Sequence, residues 1–350
     1  VINNAGVVTS TSGSLGFSST LNFGTTGVNA LGTISGFINV SSSFLGSSGT
    51  LDIGSATTTF YSDFTIGNAA ATIYGRTGTL ELRGDVNLFG ILTINTDSAK
   101  VILTGSGVNA YNISGTGNKA FTDLEINKQG GSMSLSTNAS TTRNLTLSGG
   151  ALLLSTKTMY VGGNFTVNGG TLTQQTGTIA LNGSGAQSVS STLLYNLTIE
   201  KSGGTATFAG NTTSTNNFLL SGGTLSLGTN AYNVGGNFTV SGGTFTPGTG
   251  AVNLNGSGAQ SVSSTSLYDL SIAKSGGTVT FAGNVTSTNN FSLTGGTISL
   301  GTKAFDVGGN FTVNGGVFTP GTATTTLNGA GAQSVSSTSF AALTIDKSGG

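Results

Sequence analysis

The chain has 350 residues, no Cys and no His, and eleven basic against eleven acidic side chains, so only 6% of it is charged. That excludes a disulfide framework, thiolate chemistry and imidazole acid–base or metal work, and it leaves no basic face for nucleic acid. Gly occurs 59 times and Pro twice, without a collagen period, and the apolar residues run in alternation with polar ones, which argues against disorder.

From the N-terminus, the segments "TLNF" (20–23), "FINV" (37–40), "TLDI" (50–53), "DFTI" (63–66), "TLEL" (79–82) and "ILTI" (91–94) alternate with period two. That is the signature of a half-buried strand. Their spacing is shorter and uneven, and residues 1–104 are read as irregular, narrower or degenerate rungs of a β-solenoid, with 105–129 as a transitional rung.

The rest of the chain repeats. Three units of equal length fit without a gap at 130–202, 203–275 and 276–348, and 349–350 begins a further one. "VGGNFTV" returns at 161, 234 and 307, and "GSGAQSVSST" at 183 and 256, then as "GAGAQSVSST" at 329. Cut at its glycines, the last unit divides into 276–294, 295–314, 315–328 and 329–348, each piece with two short alternating strands. Gly, Thr, Ser and Asn are poor helix formers. An antiparallel sandwich also uses short strands, but it does not need tandem copies. Stacked coils do, because each rung faces a near-copy of itself. The expected fold is therefore all-β, a single-chain parallel β-helix with rungs of about 14–20 residues, four to a repeat, so that equivalent residues of successive repeats lie along one edge.

Several residues invite a functional reading. Lys128, Lys201, Lys274 and Lys347 recur at the repeat offset. They are expected on an outer edge, either protecting it or making lateral contacts between rods, with Glu200 and Asp346 beside two of them. Asn164, Asn237 and Asn310 sit in "NFT" sequons, and Asn144, Asn196, Asn211 and Asn284 in others. Glycosylation is one reading; the other is that an outward Asn and Thr around an inward apolar residue create the sequon automatically. Asp123 and Glu125 share one strand face, a pair of the kind glycosidases use, but the bland reading is a solvated face beside Lys128. In "GSGAQSVSST", Val189, Val262 and Val335 are the expected inward anchors. Thr-rich runs raise an ice-binding face, which "QSVS" interrupts. The Gly-rich turns lack the Gly-Lys-Ser/Thr ending of a phosphate loop and the Asp of calcium-binding nonapeptides. No catalytic, cofactor or metal site is expected.

Strings such as "VGGNFTVNGGVFTPGTATTTLNGAGAQSVSS" resemble the long Gly/Thr/Asn-rich repeats of large secreted bacterial surface proteins. The rung length resembles that of filamentous haemagglutinin and autotransporter passenger domains. The resemblance implies a right-handed parallel β-helix and an extracellular, prokaryotic cell-surface location. With it, the chain is expected to be a structural protein, not an enzyme, that forms a fibre, sheath or stalk by association with copies of itself. An adhesin stalk with a glycan or host surface as partner is the alternative, and a polysaccharide-acting β-helix enzyme the third reading. No run reaches the roughly 18 apolar residues of a membrane span. The start without Met and the end in mid-repeat read as a piece of a longer chain.

Overall fold

Alternating small polar and apolar residues, broken every few positions by Gly, give short strands joined by tight corners. The computed structural model describes residues 15–17, 21–23, 38–40, 44–46, 49–52, 57–60, 64–66, 71–74, 77–83, 86–88, 92–95, 99–105, 111–113, 119–173 and 175–349. Among these the protein is all-β, and its strands stack in parallel as a β-solenoid. No helix among them is long and apolar enough to cross a membrane. The chain divides into two compact units, Val1–Ile179 and Ala180–Gly350.

In the first unit one line of register partners runs Leu15, Ile38, Thr58, Leu80, Val101, Leu124, Leu145 and Phe165. All six segments expected as strands between 20 and 95 are strands: Leu21–Phe23, Ile38–Val40, Gly49–Asp52, Phe64–Ile66, Thr79–Leu82 and Leu92–Asn95. Along this line the early turns, from Leu15 to Ile38 or from Thr58 to Leu80, take up more of the chain than the turn from Leu145 to Phe165. The N-terminal rungs are therefore not narrower than the later ones; the expectation confused the spacing of successive strands with the length of a turn. Residues 1–14 and 350 lie outside the described residues.

In the second unit the strands form three columns. Column one passes through Leu194, Ser214, Val234, Leu254, Ile272, Leu293 and Val313. Column two passes through Leu197, Phe218, Phe238 and Val262, then Phe281 at the end of Asp269–Phe281, and continues through Ile298 and Phe318. Column three holds Ala206, Leu225 and Phe245, and resumes at Leu267 with Ser287, Val307, Leu327 and Ile345. Strands such as Asp269–Phe281 bend from one column into the next. The bend lies at Gly276–Gly277, where Gly277 has φ +72° and a Cβ would meet the Gly258 carbonyl at 2.6 Å. Only glycine fits there.

Counting columns along the repeat corrects the four-rung reading. From Thr212–Ser214 to its equivalent Val285–Ser287 there are nine strands, two of them bent across two columns, so a repeat fills eleven strand positions. With three positions per turn, one repeat makes three turns and two thirds. Each repeat thus begins one column round from the last. Phe238 of "VGGNFTV" stands in column two, whereas its equivalent Phe311 stands in column one. The solenoid holds, but equivalent residues of successive repeats do not share an edge.

The core is apolar and layered. Phe218 stacks on Phe238 and Phe291 on Phe311, each pair with ring centroids 4.8 Å apart. Such pairs contribute about 0.5–1.5 kcal/mol beyond area burial. Val189 and Val262 are buried as expected, while Val335, in the last turn, is 41% exposed.

Candidate functional site

The most faithfully repeated stretch builds a tie between turns. In "GSGAQSV" the Gln lies two positions before an inward Val, so it points inward as well. Gln260 and Gln187 are both buried. The Gln260 amide nitrogen donates to the carbonyls of Val234 (2.9 Å) and Gly236 (2.6 Å), one turn earlier. Its side-chain oxygen accepts from Lys274, one turn later. Lys274 also donates to the Gly256 carbonyl at 2.7 Å. One glutamine and one lysine therefore link three consecutive turns.

The arrangement recurs. Lys201 donates to Gln187 and to the Gly183 carbonyl. Lys347 donates to Gln333, Gly329 and Gly331, and Gln333 to the carbonyls of Val307 and Gly309. This corrects the expectation of an outer lysine edge. Lys128, Lys201 and Lys274 are buried, at 3–4% exposure, and only Lys347 in the last turn is half-buried. The physical reason lies in the next turn. A Cβ on Gly223 or Gly296 would stand 2.6 or 2.7 Å from the Cβ of Lys201 or Lys274, so glycine makes the slot for the lysine stem. Nor do the three lysines line up. Lys201 follows the column-two part of its strand, Lys274 the column-one part, and Lys347 the column-three strand Ala342–Ile345. Burial lowers the affinity of the Lys201 and Lys274 amines for their protons. The oxygens that receive them, carbonyl and amide, are neutral.

The sequon asparagines belong to a second device. Asn237 N–H donates to Asn217 Oδ1, Asn310 N–H to Asn290 Oδ1 and Asn164 N–H to Asn144 Oδ1, each at 2.9 Å. One turn later, Ser261 N–H donates to Asn237 Oδ1 and Ser334 N–H to Asn310 Oδ1, each at 2.8 Å. The ladders start on Asp123, Asn196 and Asp269. Asn164, Asn237 and Asn310 are exposed. The ladder uses Oδ1, and a glycan would attach at Nδ2, so the stacking bonds explain the recurrence of these residues with or without modification.

The first unit carries a cluster of charged side chains along neighbouring strands. Thr59, Glu81, Ile102, Glu125 and Thr146 are register neighbours, and Lys100 lies between Thr79 and Asp123. Burial raises the Glu81 carboxyl, but hydrogen bonds from Arg83, Thr104 and Thr59 outweigh it and hold the group below the usual range. Glu125 shows the same balance, with Lys100 and Ser148 as the opposing partners. Asp123 accepts from the backbone and side chain of Asn144 at 2.9 Å and pairs with Arg143 at 3.5 Å. Both carboxylates singled out from the sequence are thus held by neighbours within the stack. A cavity of about 350 Å³ is lined by Glu81, Arg83, Thr104, Gly105, Asn127 and Gln129.

No family model, no curated protein and no solved structure matches this chain. Among the described residues no three His, Cys, Asp or Glu side chains gather as a metal site. What the recurring Lys, Gln and Asn side chains do chemically is satisfy corner carbonyls and amides that the strand ladders leave open. Sequence reasoning missed the lysine–glutamine tie. Its signals were present: a constant spacing from Gln187 to Lys201, Gln260 to Lys274 and Gln333 to Lys347, and a Gln in phase with an inward Val.

Proposed function

We propose that the protein is an extracellular structural protein of a prokaryotic cell surface, a solenoid that builds a fibre, sheath or stalk by association with copies of itself. The observation that carries this reading is the placement of the repeated polar residues. Lys201, Lys274, Gln260, Gln333 and the sequon asparagines all bond to the turn above or below. Repetition serves stacking, in which each turn is held by its neighbours. With 6% charged residues, copies of the chain meet little electrostatic repulsion.

A second reading, an adhesin stalk, is favoured by the polar cavity around Glu81, Arg83 and Gln129, which offers carboxylate, guanidinium and amide groups to a glycan. Electron microscopy of the purified protein and of the native cell surface separates the two. Ordered fibres or layers support the structural reading. Single rods that never associate and that bind a glycan overturn it in favour of the second.

A further inference from the structure

The lysine–glutamine tie sets an amine against an amide carbon. In the pairs Gln187–Lys201 and Gln260–Lys274 all four residues are buried, and each lysine nitrogen donates to the side-chain oxygen of its glutamine. The amide carbon lies one bond, about 1.2 Å, behind that oxygen. Both partners are held in place. A Cβ on Gly296 would stand 2.7 Å from the Cβ of Lys274 and 3.3 Å from its Cδ, and Gly223 lies against Lys201 in the same way, at 2.6 and 3.4 Å. The Gln260 nitrogen donates to the carbonyls of Val234 and Gly236. Besides the glutamine oxygens, the amines donate to the carbonyls of Gly183 and Gly256, so every acceptor that faces them is neutral.

We infer that Gln187–Lys201 and Gln260–Lys274 are sites of isopeptide formation, at which the folded chain links its own turns covalently. In this step the unprotonated Nζ attacks Cδ of the glutamine. The Nζ–Cδ bond forms, the Cδ–Nε2 bond breaks, and one Nζ hydrogen passes to Nε2, which leaves as ammonia. Nothing is oxidised or reduced, and no co-reactant is consumed. Proximity drives the step. Well-oriented groups within one molecule react at effective molarities of about 10⁵–10⁸ M, and burial keeps out the water that would hydrolyse the amide instead. The reactive form is the free amine, and burial lowers the affinity of both lysines for their protons. Near neutral pH the pair persists as the hydrogen-bonded tie, and linking gathers pace toward about pH 10. Lys347, which is half-buried in the last turn, makes the same contact with Gln333 at 3.0 Å and links more slowly.

Mass spectrometry of the full chain tests this. The folded protein is kept for several days at about pH 7 and at about pH 10, then denatured and digested with trypsin, which cuts after a free lysine but not after an amidated one. The peptides that span Gln187 to Lys201 and Gln260 to Lys274 are expected to lose one ammonia each and to resist cleavage after Lys201 and Lys274. Conversion should be roughly tenfold or more faster at the higher pH, as the free-amine fraction rises. The same chain in concentrated urea at the higher pH is expected to stay unlinked, and Lys274→Met to lose the second link and keep the first. Free cleavage after both lysines, following alkaline incubation of the folded protein, overturns the inference. So does linking that is as fast in urea as in the folded chain, or ammonia loss that maps to the Asn–Gly steps at Asn182 and Asn255 instead. None of these outcomes touches the structural reading, which assembly under the electron microscope decides separately.

Discussion

The ammonium of Lys274 donates to the side-chain oxygen of Gln260, and that glutamine in turn holds the carbonyls of Val234 and Gly236. The pair acts as a staple through three turns. Gln260→Leu leaves two corner carbonyls and a buried ammonium short of a partner, and is expected to destabilise the second unit by about 1–3 kcal/mol. Lys274→Met is expected to cost a similar amount. Because the two residues share one network, the double variant should lose less than the sum of the single losses. Urea unfolding of all four proteins measures this coupling.

The same burial makes stability depend on alkaline pH. The folded-state affinities of Lys201 and Lys274 for their protons are lowered. Between the folded value and the ordinary one near about 10.4, the unfolded chain binds more protons than the folded chain, so stability rises with pH there. Above that window it levels off. The urea midpoint is expected to climb as pH rises toward about 10.4, and the climb should shrink in the Lys201→Met, Lys274→Met double variant.

Two glycines of the repeated decapeptide should behave oppositely. A Cβ on Gly256 would stand 1.7 Å from the Gly235 carbonyl, whereas one on Gly258 would meet nothing within 4 Å. Gly256→Ala is expected to destabilise by about 2 kcal/mol or more, and Gly258→Ala to change stability little. Thermal unfolding of the two variants side by side checks the contact.

Thr325 is fully buried and its hydroxyl has no partner among the described residues. The equivalent position one repeat earlier is Val252, which is also buried. Thr325→Val should therefore stabilise the chain by about 1 kcal/mol, measured as a higher urea midpoint with an unchanged slope.

Much of this fold was legible in the letters. Segments such as "TLEL" and "FTV" alternate strictly, and each became a strand with its leading apolar residues inward, because one face had to be buried. The tandem period announced stacking. The number of strands in a period was not legible, because it depends on where glycine corners bend a strand such as Asp269–Phe281 into the next column. The lysines were misplaced for a different reason. Lysine is nearly always at the surface, and only the three-dimensional neighbourhood of Gly223, Gly296 and the paired glutamines makes room for it inside.

A repeat makes three turns and two thirds. It places Ser261 directly above Asn237 in column two, with Phe238 opposite Val262 and Ser261 N–H on Asn237 Oδ1. It places Thr246 in column three, away from Ser261. Neighbouring strands bring backbones within the span of a disulfide. Oxidation of Asn237→Cys, Ser261→Cys is therefore predicted to close an intramolecular disulfide, and Thr246→Cys, Ser261→Cys to leave both thiols free within the chain. The reverse outcome, closure across 246 and 261 but not across 237 and 261, would restore four rungs per repeat and contradict the account.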